Sequence, residues 1–488
     1  MKRFFATVLA LVSLLSLGSC SSSLETGEVK TAEEVKESVE KTPEKEAETG
    51  PFVPPEGFSV GYARLDMTPS NFPILSYDDG YANGAHDPIQ MTCVAVSDGE
   101  TTALLITLDL RNMGVTLATR CREIISKNVG IPVENIYMNS SHTHSSVDCN
   151  FDEDSVTIWK TKFYKLLPQM AEQAIRDLTP ADAYVGASHT EGLTFVRRYI
   201  GEDGSFNGIG DAATSVNLRH ESEADSEMRV IRFDRAGDAK DVVMVNYQTH
   251  YGSAESIWPD QISADFVHQF RERAEKDLNC HFSYIAGAGG NLVFNTRIAG
   301  ERKYPTIVEG SVHMLDVAKE AIAVEEKVAT GAIRSSYVMY KGTHNHDYDP
   351  DIVNKAKSIA NAGARTKEQQ ELIDLYGFHS RYQASGIIAG MSADYTEFPL
   401  AAISCGDIVF CAFPYEMWDT NGKECRDASP FKVTFISSLT NGGVGYIPAA
   451  HAFPNGGYEV YSCRFKPGCG EEFVAEMLRL LADCKAQG

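Results

Sequence analysis

Two histidines separated by one residue, His142 and His144, are the first candidates for chemistry in this 488-residue sequence. They follow residues 134–138, which alternate like a β-strand before a run of small hydroxyl residues begins. Two imidazoles at the end of a strand can point toward a common centre, where one binds a metal ion and the other lies beside it or faces a substrate. The pair therefore indicates a candidate metal site.

Three further side chains suited to a metal site each follow an apolar run that predicts a strand: His250, Glu416 and Tyr446. Sheets in α/β proteins present functional side chains at strand ends. Two histidines, a carboxylate and a water form a common catalytic zinc shell, whereas a tyrosine oxygen would be an unusual further ligand. Taken alone, His250 is more typical of a structural or surface histidine than of a ligand. The three apolar runs span residues 242–247, 406–413 and 433–439.

The elements that must position these side chains alternate between strands and helices. Residues 103–110 form an apolar run that predicts a buried strand, with Asp109 near its end. Apolar residues at helical spacing mark segments near 117–129 and 163–175, and Pro168 is expected to kink or restart the second helix. The alternation predicts an α/β fold with a mixed β-sheet core flanked by helices, in one large catalytic domain.

Seven short blocks, in order over most of the chain, resemble motifs of the neutral ceramidase family, the metal-dependent amidases that cleave N-acyl sphingosine. The block Ser-Ser-His-Thr-His-Ser at 140–145 is similar to the His-Thr-His signature of that family. The resemblance implies a neutral-ceramidase-like catalytic domain and zinc-dependent hydrolysis of an N-acyl amide bond, in a ceramide-like lipid or a related amide. The other blocks lie at 61–69, 84–89, 96–99, 413–416, 445–447 and 457–459.

The resemblance also implies roles for individual residues. His144 would face the substrate amide and shuttle a proton to the leaving amine. Tyr458 would hydrogen-bond the developing oxyanion, and either Arg197 or Arg198 would be the active-site arginine. Zinc would polarise the acyl carbonyl and acidify its bound water. Its ligands would be His142, His250, Glu416 and Tyr446.

Two acidic residues are candidates to orient a metal-binding histidine from behind, as the outer partners of such histidines commonly do. These are Asp109, near the end of its predicted strand, and Glu459, which directly follows Tyr458. The sequence does not distinguish between them.

Two features depart from the family pattern and bear on the substrate. Where the family usually reads Gly-Asp-Val-Ser-Pro, this chain reads Gly-Asn-Leu-Val-Phe at 290–294, so that apolar Val293 stands at a hydroxyl position. The chain ends about thirty residues after Tyr458, so we expect no C-terminal β-sandwich domain. Two alternatives therefore stay open: the same metal chemistry on a non-lipid cell-wall or host-derived amide, and a surface binding protein without turnover.

The N-terminus predicts export and attachment to a membrane. Basic residues precede an apolar run at 4–17, and a Leu-Gly-Ser-Cys tetrad ending at Cys20 resembles the lipobox of bacterial lipoproteins. We therefore expect a lipoprotein signal peptide at 1–19, with lipidation of Cys20 holding the protein on a bacterial membrane outside the cytoplasm. An ordinary cleaved signal peptide is the alternative.

The segment after the signal peptide differs in composition from the rest of the chain. Residues 20–55 are rich in Ser, Thr, Glu, Lys and Pro, which predicts a disordered acidic tether before a folded domain at 56–488. The net charge of −23 argues against nucleic acid or an anionic lipid surface as an electrostatic partner. The partner that the resemblance implies is a small-molecule or lipid amide substrate. The oligomeric state is left open.

Several motifs compete with the metal-site interpretation. The glycine run at 287–290 lacks the Gly-Lys-Ser/Thr that follows in a phosphate-binding loop, which favours a tight turn at a strand exit. Residues 344–351 could bind a second cation, although an exposed acidic loop fits them better. Cys463 and Cys469 flank a Pro-Gly turn and are the strongest candidates for a disulfide in an exported protein.

Overall fold

The computed structural model describes residues 52–76, 80–209, 216–250, 257–294 and 296–486. The predicted signal peptide, Cys20 and most of the predicted tether lie outside these residues. Within the described ranges, no helix combines the length and the apolar character that a membrane span requires.

A nine-stranded mixed sheet contains the strand that leads to each histidine of interest. In chain order the strands are β1 (Ser59–Asp66), β2 (Gln90–Ser97), β3 (Thr102–Leu108), β4 (Ile136–Ser140), β5 (Thr179–His189), β6 (Glu227–Arg235), β7 (Val242–Tyr247), β8 (His281–Ala286) and β9 (Glu326–Val328). They are arranged in the order β8-β7-β6-β5-β1-β2-β3-β4, with β9 paired to β5. The pairs β3–β4 and β7–β8 are parallel.

A second, four-stranded sheet and a short ladder supply the C-terminal part of the site. The strands are β10 (Ile333–Thr343), β11 (Tyr395–Cys405), β12 (Ile408–Ala412), β13 (Glu416–Met417), β14 (Val433–Ser437) and β15 (Tyr446–Ile447). The second sheet has the order β10-β11-β12-β14, and its last pair is parallel. The ladder joins β13 and β15 in parallel, with Glu416 opposite Tyr446.

Ten α-helices are found among the described residues. They are α1 (Val115–Val129), α2 (Asp154–Arg176), α3 (Phe266–Leu278), α4 (Ile307–Ala323), α5 (Pro350–Asn361), α6 (Lys367–Tyr376), α7 (Arg381–Ser392), α8 (Asp419–Asp427), α9 (Tyr458–Tyr461) and α10 (Cys469–Ala486). Two-residue strands lie at Ile74–Leu75, Tyr81–Ala82, Gly84–Ala85, Phe195–Val196, Tyr199–Ile200, Phe206–Asn207, Arg219–His220, Gln261–Ile262 and Leu292–Val293, and 3-10 turns at Val133–Asn135 and Ala450–Asn455.

One apolar core is shared by the two sheets. The halves of the large sheet, β1–β4 and β5–β9, are joined directly through only two residue pairs, which lie between β1 and β5. Side chains from both halves and from the second sheet, such as Leu105, Ile231 and Phe410, belong to the same buried cluster. Helices α1 and α2 cover the outer face of one half, α3 and α4 cover the other, and α10 covers the second sheet. The predicted α/β fold with a mixed sheet flanked by helices is confirmed, and the second sheet is added to it.

Helix α2 continues through Pro168, so the predicted restart is wrong, and the kink stays a prediction. A proline inside a helix costs about 3 kcal/mol through a lost hydrogen bond and a steric clash. Phe163, Leu167 and Met170 on the same helix are fully buried. Each such side chain contributes about 1.5–3 kcal/mol on burial, so packing on the sheet outweighs the cost of the proline.

The expected disulfide is also absent. Cys463 and Cys469 are buried free thiols with their sulfur atoms 4.0 Å apart. A disulfide requires a separation of about 2.05 Å, which this packing does not provide. The backbone amide of Phe465 donates to the Cys463 sulfur at 3.3 Å, so the thiol takes part in the turn as an acceptor.

Candidate metal centre

The ends of four strands bring together the side chains predicted to bind a metal. His142 follows β4, His250 follows β7, and Glu416 and Tyr446 face each other in register in the β13–β15 ladder. The side chain of Asn139, in β4, links this strand to the end of β8 and to the residue after β14. It donates to the Ser438 carbonyl at 2.6 Å and accepts from the Ala286 amide at 3.0 Å.

The ring nitrogens and the carboxylate lie at distances suited to one small cation. His142 Nε2 lies 3.3 Å from His250 Nε2, 3.3 Å from His144 Nε2 and 3.4 Å from Glu416 Oε2. Ligand atoms at roughly 2.0–2.1 Å from a tetrahedral zinc ion lie roughly 3.3 Å from one another. A cavity of about 10 Å³ bordered by His142, His250 and Glu416 is comparable to the space that one water-sized sphere occupies.

A backbone carbonyl fixes the tautomer of His142. Its Nδ1 lies 2.9 Å from the carbonyl oxygen of Arg111, which can only accept, so Nδ1 carries the hydrogen. In the neutral imidazole, Nε2 then presents a lone pair toward the cluster. Metal-binding histidines are held by such an outer partner in many proteins. No sequence pattern indicates this partner, because a backbone carbonyl is common to every residue type.

Two buried hydrogen-bond acceptors, His142 Nε2 and Glu416 Oε2, therefore lie next to each other. Glu416 Oε2 is buried and accepts no hydrogen bond from the described residues. It lies 3.4 Å from His142 Nε2. Two buried acceptors at this distance are stable only with a cation or a proton between them. The observed donor set thus fits a divalent cation such as zinc.

The pKa shifts in the cluster favour the protonation states that bind a cation. Burial lowers the pKa of His144 and of His250 well below 6.5, and the neighbouring imidazoles and arginines lower it further, so both rings stay neutral. Burial raises the pKa of Glu416, but His142 and Arg111 oppose it and hold that pKa at about 2. Neutral imidazoles and an ionised carboxylate are the forms that bind metals.

The backbone is unusual at two residues of this site. His142 has a φ of 71° and Tyr415, which precedes Glu416, has a φ of 68°. Side chains other than glycine rarely adopt this left-handed region, and where they do the strain is commonly found at functional sites. Both residues are buried, so the surrounding packing holds these conformations in place.

Two tyrosines stand beside Glu416. The rings of Tyr446 and Tyr458 are 5.5 Å apart, and both side chains are buried. Burial and the Glu416 charge raise the pKa of Tyr446 well above 10 and that of Tyr458 to about 12. Both phenols therefore keep their protons near neutral pH and can donate hydrogen bonds.

The structure distinguishes the two candidate arginines by their contacts. The Arg197 guanidinium lies 5.5 Å from the Tyr446 ring and 5.6 Å from the Tyr458 ring. Arg198 instead pairs with Glu221 at 2.7 Å and donates to the Gly456 carbonyl at 3.0 Å. Arg197 is therefore the arginine that borders the site, and Arg198 supports the surrounding structure.

The two acids considered for orienting a histidine are bound elsewhere. Asp109 pairs with Arg271 at 2.9 Å, and Glu459 accepts hydrogen bonds from Arg197 and Arg198. Those expectations are wrong, because each carboxylate lies next to a buried guanidinium whose charge needs an anionic partner.

The competing motifs have structural roles. The glycine run at 287–290 is a strand exit, in which the Gly290 amide donates to the Met417 carbonyl at 2.8 Å. A Cβ added at Gly290 would lie 2.4 Å from the Glu416 carbonyl oxygen, so this glycine allows the loop to pack behind Glu416. In the segment 344–351, Asp349 caps α5 by accepting from the Asp351 amide.

Comparison with known proteins supports the fold. No protein-family model and no curated protein matches this chain. Among solved structures, neutral ceramidase from Pseudomonas aeruginosa aligns over 90% of this chain and 75% of its own, with a TM-score of 0.64 and 14% identity. A structure described as ceramidase complexed with C2 aligns over 89% and 76%, with a TM-score of 0.66 and 14% identity. The chain therefore has a ceramidase-like fold.

Proposed function

We propose that this protein is a zinc-dependent amidase that hydrolyses an N-acyl amide bond. The observation that carries the proposal is the pair of buried acceptors, His142 Nε2 and Glu416 Oε2, at the centre of a histidine cluster. The ceramidase-like fold supports the same reaction class, since both similar structures are described as ceramidases. A ceramide-like lipid or a related amide is the proposed substrate.

In this proposal His142, His250, Glu416 and Tyr446 hold the zinc ion. When bound there, zinc would act as a Lewis acid that polarises the acyl carbonyl and acidifies a water molecule. His144 is more exposed than His142 and His250, so we assign it to the substrate side. The same distances allow His144 as a third imidazole ligand. Loss of zinc in His144→Ala would indicate a ligand, and retained zinc would indicate a residue that faces the substrate.

His144, Tyr458 and Arg197 are assigned to proton transfer and to stabilisation of negative charge. The neutral imidazole of His144 can accept a proton from water and deliver it to the leaving amine. The Tyr458 hydroxyl, with its pKa of about 12, can donate to the oxyanion that develops on the acyl carbonyl. Arg197, beside both tyrosine rings, contributes positive charge to the same region.

The N-terminal sequence supports a location on a bacterial membrane. We propose that Cys20 is lipidated after cleavage of the signal peptide. Metabolic labelling with a fatty acid should mark the protein, and Cys20→Ala should abolish the label. A labelled Cys20→Ala protein would contradict the assignment.

The function is tested by measuring the hydrolysis of short-chain ceramide and other N-acyl amides by the wild-type protein and by Tyr458→Phe. We expect kcat to fall about 10²–10³-fold with the zinc content retained, because one oxyanion donor is lost. Tyr461→Phe, on the same short helix, is the matched control and should keep full activity. A wild-type protein that loads zinc but cleaves no N-acyl amide would instead indicate a binding protein.

A further inference from the structure

A second cavity lies directly beside the proposed reaction centre. It has a volume of about 60 Å³, which accommodates a small functional group but not an acyl chain. Glu416, Tyr446 and Tyr458 border it on the side of the metal centre. Its other side includes Arg111, Tyr382 and Arg464.

Arg464 brings a positive charge to this cavity. It is half-buried, donates from Nη2 to the Val444 carbonyl at 3.3 Å and lies 6.0 Å from the ring of Tyr415. In the described part of the chain no carboxylate pairs with it. A guanidinium has five N–H donors and is costly to remove from water without an anion.

A second guanidinium borders the same space. Arg111 donates from Nη1 to the Tyr382 hydroxyl at 3.2 Å, and its guanidinium lies 4.8 Å from the centre of that ring. Its charge acts on the reaction centre, since Arg111 contributes to lowering the pKa of Glu416. The backbone carbonyl of Arg111 also holds His142, so the backbone that carries this guanidinium is tied to the metal centre.

We propose that this cavity binds a carboxylate of the substrate close to the scissile amide, with Arg464 as the specificity-determining residue. Guanidinium groups bind carboxylates through paired, charge-assisted hydrogen bonds, which neutral headgroups cannot offer. The preferred substrates are then N-acyl amines with a carboxylate next to the amide, such as N-acyl amino acids, rather than neutral ceramide. The inference rests on the proposed amidase function.

The test compares N-lauroylglycine with its neutral amide, N-lauroylglycinamide, as substrates of the full protein. Wild type should cleave the carboxylate at least about 10-fold more efficiently, and Arg464→Gln should reduce the ratio of the two kcat/KM values about 10- to 100-fold. Arg464→Lys should retain part of the preference, because it keeps the charge but not the paired geometry.

The matched control is Arg479→Gln, which removes an exposed arginine on α10 and should leave the ratio unchanged. Equal efficiency for both substrates in wild type, or an equal loss for both in Arg464→Gln, would overturn the inference.

If wild type cleaves short-chain ceramide but neither of these compounds, the inference is overturned and the amidase proposal stands. If it cleaves no N-acyl amide at all, the amidase proposal fails, and calorimetric binding of the same pair then decides the inference. Tighter binding of N-lauroylglycine that depends on Arg464 supports it. Equal binding of the two compounds overturns it.

Discussion

Arg197 donates from Nε to Glu459 Oε1 at 2.7 Å, and the two side chains are 4% and 0% exposed. The other carboxylate oxygen accepts from Arg198 at 3.3 Å, so one buried anion contacts two buried cations, of which Arg198 also pairs with Glu221. This pairing holds Arg197 beside the rings of Tyr446 and Tyr458.

Glu459→Gln should therefore lower the free energy of unfolding by about 3–5 kcal/mol, because it leaves buried guanidinium charge without its partner. Denaturant titration of the metal-free protein measures this effect. Glu191→Gln, which breaks the exposed pair with Lys303, should change stability by less than about 1 kcal/mol. Similar stabilities for the two variants would contradict the role assigned to Glu459.

Two histidines outside the site, His268 and His281, should make the free energy of unfolding fall at acidic pH. Burial, followed by the charge of Arg271 for His268 and of Arg235 for His281, lowers the pKa of each ring to about 4. The unfolded chain, with an ordinary histidine pKa near 6.5, binds more protons between these values. Their contribution to stability is thus present above pH 6.5 and is lost as the pH falls toward 4.

The measurement is the free energy of unfolding of the metal-free protein from pH 7 to pH 4.5, for the parent and for His268→Gln/His281→Gln. We expect a smaller loss of stability on acidification in the double variant, since it has fewer buried rings to protonate. An identical pH slope in the two proteins would show that these histidines do not carry the effect.

The packing of Gly290 behind Glu416 gives a further prediction. In Gly290→Ala, the new methyl group would meet the Glu416 carbonyl oxygen at 2.4 Å, so the backbone that carries the carboxylate must move. We expect a loss of about 1–3 kcal/mol in stability and weaker zinc binding, measured by competition with a chelator. Gly84→Ala is the control, because its added Cβ has nothing within 4 Å. Wild-type zinc affinity in Gly290→Ala would contradict this arrangement.

The sequence was informative where apolar runs end in polar residues. His142, His250, Glu416 and Tyr446 could be singled out because each follows such a run, and a residue after a strand lies at an edge of its sheet. Local periodicity also indicated most of the strands and helices that position them. The resemblance to neutral ceramidases added the order in which these segments occur.

What could not be predicted depends on contacts between distant parts of the chain. Nothing in the residues around 142 indicates that the Arg111 carbonyl would hold the His142 ring, and Asn139 reaches a loop about 300 positions away. The second sheet and helices α5–α7 were likewise not foreseen as a unit, since their packing pairs segments with no local pattern in common. The restart expected at Pro168 does not occur, because propensity alone does not include the burial of its helix.

The most direct test of the central claim is the zinc content of the purified protein beside three variants. We predict about one zinc per chain in the parent, its loss in His142→Ala and Glu416→Ala without unfolding, and its retention in His346→Ala, whose ring lies outside the cluster. No zinc in the parent after reconstitution, or full zinc binding by His142→Ala, would contradict the metal centre and the hydrolytic function proposed for it.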